Sequence, residues 1–385
     1  MTATRPDAPV NPPVRNIPLA QPWVGDRERE LVTQALDSGV LGLGPFARAF
    51  EERIAEMSGR RFGVSCSSGT AALHMAVRAL GIGAGDEVIT TPFSFVASTN
   101  CFLYEGARPV FVDIEEDSMG LDPSLLEAAA TPRTKAVLPV QVFGRPCHIV
   151  EVADIAERHG WRLIEDSCEA LGSSLDGRPL GSFGDASAFA FYPNKQITTG
   201  EGGVVVTDDP DLAAQFRSMR NQGRGEDGAW LQHVRLGYNY RMDELSAAVG
   251  VAQLERFEQL RSARAAVAAA YQRELGGIDW LRLPQAGPGE SVDWFVYVIR
   301  LDRALDRNRM LADLEELGVQ TRPYFSPIHT QRFMLELTDY REGDFPVTER
   351  VAASTLAIPW SPRMTDDDVA VVAAALRQAA RRQGV

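Results

Sequence analysis

The sequence predicts an α/β protein whose first part is a doubly wound, mostly parallel sheet of seven strands. Three observations carry this expectation. Short β-rich runs alternate with helical patterns through the first half of the chain. Runs such as Val137-Leu138-Pro139-Val140 and Arg162-Leu163-Ile164 lack strict alternation, as strands covered by helices on both faces do. After Thr207 the pattern changes to long helical stretches, and at roughly 100 to 200 residues per domain a chain of 385 residues holds two packed domains.

In chain order the seven strands are expected at Phe62 to Cys66, Glu87 to Thr91, Pro109 to Ile114, Lys135 to Val140, Arg162 to Asp166, Ala186 to Phe191 and Gly203 to Thr207. The first five are joined mostly by helices, with loop from Ser167 to Asp185. A helical stretch from Asp211, a Gly- and charge-rich loop at Asn221 to Gly228, and a long helix from near Asp243 follow. Leu245, Val249, Ala252 and Leu260 lie near helical spacing, with Leu254 and Phe257 widening the apolar face. That helix is expected to link the domains. Beyond it Trp294 to Leu301 reads as a strand. Asn308 to Leu317 reads as a helix stopped by Gly318, and Thr365 to Gln378 as a helix with Thr365 as N-cap. The expected division is an N-terminal arm at 1–25, a large domain at 26–257 and a small domain at 258–385.

Composition narrows function. The net charge of −13 opposes non-specific nucleic-acid binding, so an anionic substrate needs a local cluster of donors in a pocket. No apolar run approaches the roughly 20 residues that span a bilayer. Pro6, Pro9, Pro12, Pro13 and Pro18 stand where a signal peptide needs an apolar stretch. The expectation is a soluble cytoplasmic protein with a disordered arm and no membrane partner. Cys66, Cys101, Cys147 and Cys168 are widely spaced and read as buried free thiols. The five histidines show no metal-ligand spacing, so no metal is expected.

Lysine occurs only at Lys135 and Lys195, so the other 37 of the 39 basic residues are arginine. A lysine kept in such a chain points to chemistry closed to a guanidinium, such as losing its proton to become a nucleophilic amine. Lys135 merely opens an apolar run, whereas Lys195 sits in Phe191-Tyr192-Pro193-Asn194-Lys195 and is followed by a loop ending in glycines at Gly200, Gly202 and Gly203. A Schiff-base lysine needs its pKa lowered from about 10.4 by desolvation or a neighbouring cation. Upstream, Cys66-Ser67-Ser68-Gly69-Thr70 ends a strand and starts a helix. Its free N–H groups and the Ser68 and Thr70 hydroxyls suit a phosphate, or serve as an ordinary N-cap. Asp166 ends a central strand, where a carboxylate pairs with a protonated pyridine nitrogen, an arginine or a helix start. Phosphate cradle, carboxylate and lysine on three strand ends are what a pyridoxal 5'-phosphate site requires.

The sequence resembles the sugar aminotransferases of the DegT/DnrJ/EryC1/StrS family, from about Leu41 to the C-terminal helix. The resemblance rests on Ser68-Gly69-Thr70-Ala71-Ala72-Leu73, Thr91-Pro92-Phe93-Ser94-Phe95-Val96-Ala97, Gly106-Ala107-Arg108-Pro109-Val110-Phe111-Val112-Asp113 and Glu165-Asp166. It also rests on the Lys195 to Gly203 loop and Gly237-Tyr238-Asn239-Tyr240-Arg241-Met242. It implies fold type I of the pyridoxal phosphate-dependent transferases, with a smaller α+β C-terminal domain. Lys195 is then the Schiff-base lysine, Asp166 keeps the pyridine nitrogen protonated, and Phe95 stacks on the ring. Ser68, Gly69 and Thr70 hold the phosphate, with Asn239 reaching it across a homodimer interface. Glu169 takes the place where many members have Gln or His, facing the cofactor's phenolic oxygen, which a carboxylate repels unless protonated or turned away. Ala190 replaces a serine common in the family, so a hydroxyl is missing or supplied by Ser187 or a neighbour.

The resemblance further implies transfer of an amino group from L-glutamate to a nucleoside-diphosphate-linked keto-deoxy sugar in deoxyamino-sugar biosynthesis. Lys195 argues against the dehydratases of the family, which carry histidine there. The Thr198 to Gly203 tail resembles members acting at C4 more than those acting at C3. A keto-cyclitol aminotransferase of the inosose type and a cofactor-binding regulator without turnover are the alternatives. His329 lies in a segment like the family's substrate mouth, although a lone histidine is more often structural. Arg220, Arg224 and Arg241 are candidates for a diphosphate against a background of structural arginines. The Gly81, Gly83, Gly85 run follows a helix and precedes a strand, the wrong order for a dinucleotide fingerprint.

Overall fold

In a computed structural model, residues 16–225 and 231–385 are described. The expectations for Pro6, Pro9, Pro12 and Pro13, and for positions 226–228 of the charged loop, lie outside the described residues. The strands are β1 (Phe62–Cys66), β2 (Glu87–Thr90), β3 (Arg108–Phe111), β4 (Thr134–Leu138), β5 (Arg162–Asp166), β6 (Ser174–Leu175), β7 (Arg178–Pro179), β8 (Ala186–Ala190), β9 (Gly203–Thr207), β10 (Leu281–Arg282), β11 (Glu290–Ser291), β12 (Tyr297–Leu301) and β13 (Thr355–Ile358).

Seven of them form one sheet in the order β1-β9-β8-β5-β4-β2-β3. β3, β2, β4, β5 and β8 pair in parallel, and β9 alone runs against its neighbours β8 and β1. The helices at Gly69–Ala79, Ala97–Leu103 and Ile149–His159 follow β1, β2 and β4. β2 and β9 are buried throughout, and their central residues Val88-Ile89 and Val204-Val205-Val206 are apolar without alternation, as a sheet covered on both faces requires. The parallel strands all end at one edge, so Ser68, Asp166 and Lys195 are delivered to the same side.

At that edge the backbones come unusually close. Gly203 pairs with both Cys66 and Ala190. A Cβ on Gly203 would lie 2.4 Å from the Ser68 carbonyl oxygen, and one on Gly69 would lie 2.6 Å from the Ala190 Cβ. Two glycines therefore let the turn after β1 press against the ends of β8 and β9.

The expected long helix is in fact two, Glu244–Glu255 and Phe257–Leu275, broken at Arg256 with φ −121° and ψ 24°. The Arg256 guanidinium is bound to the Trp23 carbonyl and lies 3.0 Å from the Glu28 carboxylate, a long-range anchor that helical periodicity does not reveal. The Ser167 to Asp185 stretch, expected as loop, carries β6 and β7, which form a small sheet with β11. The strand expected from Trp294 is hydrogen-bonded only from Tyr297. Thr365 caps its helix as expected, in a capping box with Asp368, and that helix continues to Arg382.

β10, β12 and β13 form a separate sheet with its own core, in which Tyr271, Tyr297 and Trp360 stack at 4.9 and 5.1 Å. Part of the segment expected to be a disordered arm is ordered by this core. Ile17 is buried there and its N–H donates to the Gly318 carbonyl at 2.8 Å. Among the described residues no helix is long and apolar enough to cross a membrane.

The close approach at Gly203 generates the first prediction. Gly203→Ala forces a methyl against the Ser68 backbone and lowers the unfolding free energy by about 1–3 kcal/mol, read from urea denaturation. An unchanged midpoint would contradict the described packing.

Candidate active site

A cavity of about 320 Å³ opens at the carboxyl edge of the large sheet. Ser68, Gly69, Thr70, Phe95, Asp166, Glu169 and Lys195 all line it, joined by Cys168, Asn194, Phe295 and Tyr324. A larger groove of about 510 Å³ beside Arg145, Arg282 and Trp294 holds neither lysine.

Each wall follows from local structure. Ser68 leaves β1 in an extended conformation and caps the Gly69–Ala79 helix, its Oγ accepting the Ala71 N–H at 3.1 Å. The Ser68 proton stays available to a ligand, as do the first N–H groups of the helix, which have no intrahelical partner. Both readings of this turn, cap and donor cradle, are compatible at once. Asp166 is only 5% exposed. Its Oδ2 accepts the Ser98 hydroxyl at 2.7 Å and its Oδ1 accepts the Cys168 N–H at 3.1 Å. These two donors satisfy one side of each carboxylate oxygen and fix the orientation of the carboxyl group at the cavity wall. Phe95 is 62% exposed, with its ring free to cover a flat ligand.

Lys195 Nζ lies 3.7 Å from Glu169 Oε1 and 3.8 Å from the centroid of the Phe295 ring. Glu169 turns its other oxygen to the Phe143 N–H at 2.8 Å. Burial pushes the Glu169 carboxyl above its ordinary value, against the pull of Lys195 and the Phe143 N–H. The lysine loop is braced from behind. Arg264 donates to the Lys195 carbonyl at 3.0 Å, and Gln196 donates to the carbonyls of Glu169 and Asp293 at 2.6 and 2.9 Å. The buried Asp293 carboxyl is raised from 3.8 to about 6 by burial, which the attraction of Arg264 and Arg261 only partly offsets.

The structure places the remaining sequence candidates as follows. Asn239 does not line the cavity of its own chain and is exposed, paired with Asn221 in a short antiparallel bridge. Ser187 is fully buried and shares hydrogen bonds with Ser167 and the Glu165 carbonyl, so it supplies no hydroxyl in place of Ala190. Cys168 stands in the cavity wall, while the other three cysteines are buried. Arg220 is buried against Glu51 and the Ser65 carbonyl, and Arg241 donates to Asn221 at 3.0 Å. Neither these two nor Arg224 lines the cavity. His329 is fully buried with Nε2 3.0 Å from Glu349, a structural residue. Ser98, Asn194, Phe295 and Tyr324 were missed. Ser98, three residues after Phe95, and Asn194, next to Lys195, carry local signals, whereas Phe295 and Tyr324 carry none.

Residues 22–377 match the DegT/DnrJ/EryC1/StrS aminotransferase family. The chain belongs to this family. Its architecture is that of the fold type I pyridoxal phosphate-dependent transferases, and it is an aminotransferase. The chain is 37% identical to the spore coat polysaccharide biosynthesis protein SpsC of Bacillus subtilis, over 94% of this chain and 96% of that protein. It is also 37% identical to GDP-perosamine synthase of Caulobacter vibrioides, over 94% and 98%. The crystal structure of DesI, determined in the presence of its TDP-sugar product, superposes with a TM-score of 0.88 at 35% identity, over 96% of this chain and 94% of that one.

The bracing behind the aminotransferase's lysine loop has a measurable consequence. Because the Asp293 carboxyl is raised in the folded state, the stability it contributes is complete below about pH 3.8 and is lost as pH rises through about 6. Wild type should therefore lose on the order of 3 kcal/mol relative to Asp293→Asn across that window, as read from paired urea titrations. Parallel pH profiles would contradict the burial of this carboxyl.

Proposed function

We propose that the chain is a homodimeric cytoplasmic enzyme that binds pyridoxal 5'-phosphate and moves an amino group from L-glutamate to a keto-deoxy sugar carried on a nucleoside diphosphate, at C4 in preference to C3. Deoxyamino-sugar biosynthesis is the proposed setting. The observation that carries the reading is the convergence of Lys195, Asp166 and the Ser68-Gly69-Thr70 turn on one cavity.

The residues present fit the cofactor. The glycine-lined turn offers N–H and hydroxyl donors to a phosphate, and Phe95 offers a free ring face. Asp166, oriented by Ser98 and the Cys168 N–H, offers a buried carboxylate partner to a pyridinium N–H. When bound, pyridoxal phosphate supplies an electron sink that lets a substrate carbon lose its proton. Lys195 Nζ would hold the cofactor covalently, and its free amine would carry the proton between carbon centres. Glu169 turns one oxygen to the Phe143 N–H and holds the other near the amine, which reduces the repulsion expected from a carboxylate in this place. The donor leaves as its 2-oxo acid before the keto sugar enters. Asn239, exposed and away from its own cavity, is assigned to the phosphate of the partner protomer. The nucleotide-linked sugars named for GDP-perosamine synthase and DesI support the acceptor class.

The division into an arm, a large domain to residue 257 and a small domain beyond belongs to the same proposal. Phe257 packs with Phe50 and Phe191, a core that reaches on to Leu260, while Val267 and Tyr271 pack with Tyr297, so the change of core falls within the helix just beyond residue 257.

Incubation with L-glutamate and a nucleoside-diphosphate 4-keto-6-deoxy sugar should yield the amino sugar, detected by mass spectrometry. Lys195→Ala and Lys195→Arg should each lower turnover by on the order of 10³-fold or more, the latter because a guanidinium keeps its proton. Turnover of a keto-cyclitol with no product from nucleotide sugars would replace the acceptor assignment, and normal turnover by either variant would remove Lys195 from the chemistry.

A further inference from the structure

Beside the cavity, but not part of its wall, a polar cluster is packed under the segment that carries Asn239. His74 is 4% exposed and lies on the Gly69–Ala79 helix, four residues after Thr70 and four before Arg78. These three side chains therefore follow one face of the helix that begins at the Ser68 turn. His74 Nε2 is 2.7 Å from Glu105 Oε1, and its Nδ1 is 3.0 Å from the Tyr240 hydroxyl. The Tyr238 hydroxyl donates to the same Glu105 oxygen at 3.0 Å, and Arg78 is paired with the other.

The protons in this cluster can be assigned. Burial pushes the Glu105 carboxyl up, but hydrogen bonds from His74, Arg78 and Tyr238 outweigh it and hold the group below its ordinary value. Glu105 is thus an acceptor, so His74 carries its proton on Nε2. In the neutral ring Nδ1 then accepts from the Tyr240 hydroxyl.

Geometry gives this cluster a purpose. The Tyr238 and Tyr240 rings stack at 4.8 Å with planes 13° apart, and both hydroxyls reach the His74 and Glu105 cluster. Their backbones are pinned as well: the N–H groups of Tyr238 and Tyr240 donate to the carbonyls of Met219 and Arg220 at 2.7 and 3.0 Å, and Ser67 donates to the Tyr240 carbonyl at 2.8 Å. In an extended segment alternate residues face opposite ways, so fixing 238 and 240 inward presents Asn239 outward.

We propose that His74, Glu105, Tyr238 and Tyr240 are positioning residues that clamp Asn239 outward to serve the phosphate site of the partner protomer. The proposal rests on the reading of Asn239 given above. The clamp grows from the same helix whose first turn forms the chain's own phosphate cradle. Each chain thereby ties its own site to the residue it lends.

The test is a double-mutant cycle in the affinity of the full-length protein for pyridoxal phosphate, with the dimer fraction followed by sedimentation. Asn239→Ala should raise the Kd, and Tyr240→Phe, which removes one hydroxyl, should raise it about 3- to 10-fold with the dimer intact. In the Asn239→Ala background Tyr240→Phe should have no further effect, because the clamp acts only through Asn239. Tyr238→Phe, which removes the second hydroxyl, should repeat the pattern. A Kd raised by Asn239→Ala but unmoved by both tyrosine variants, or raised additively in the double variant, would overturn the clamp and leave the site assignment standing. An unchanged Kd in Asn239→Ala would overturn the assignment of Asn239, and the clamp with it.

Discussion

The structure depends on the close packing of the Ser68-Gly69 turn against the ends of β8 and β9. A side chain at Gly69 would meet Ala190 and Cys168, and one at Gly203 would meet the Ser68 backbone. With hydrogens in both places, the helix start that suits a phosphate, the strand that delivers Lys195 and the loop behind Asp166 share one wall. Ala190 takes part in this economy of space. Its methyl faces Gly69, so the position is filled by packing, and the donors are left to the turn itself.

Electrostatics act locally here because the chain as a whole is acidic, with a net charge of −13. The lysine amine sits between the Glu169 carboxylate and the face of Phe295, a setting of cation–π contact and partial desolvation. Asp166 is satisfied by two donors. Asp293, behind the loop, is buried with one oxygen unpartnered and is displaced toward its neutral form. The two aspartates thus differ in role because one has donors and the other has mainly distant arginines.

Much of this was legible in the sequence because it is local. Seven strands, the turn after Cys66 and the helix capped by Thr365 carry their signals within a few residues. The scarcity of lysine in the sequence singles out Lys195. What escaped is set by contacts between distant segments. The break at Arg256 is tied to Trp23 and Glu28, more than two hundred residues earlier. Phe295 and Tyr324 join the cavity from beyond the large sheet, and no periodicity marks them. Ser187 read as a possible phosphate donor because strand alternation does not tell which face meets the cavity and which meets Ser167. The exposure of Asn239 is likewise a property of the fold.

The central claim is that Lys195 and Asp166 together hold pyridoxal phosphate in a form that accepts an amino group. The most direct measurement is the absorption spectrum of the purified protein with added pyridoxal phosphate, before and after L-glutamate. The account predicts a visible band from the cofactor bound to Lys195 that bleaches when glutamate is added, with 2-oxoglutarate released. A band that forms but bleaches with no amino donor would contradict the transfer, and absence of any band would contradict the site itself.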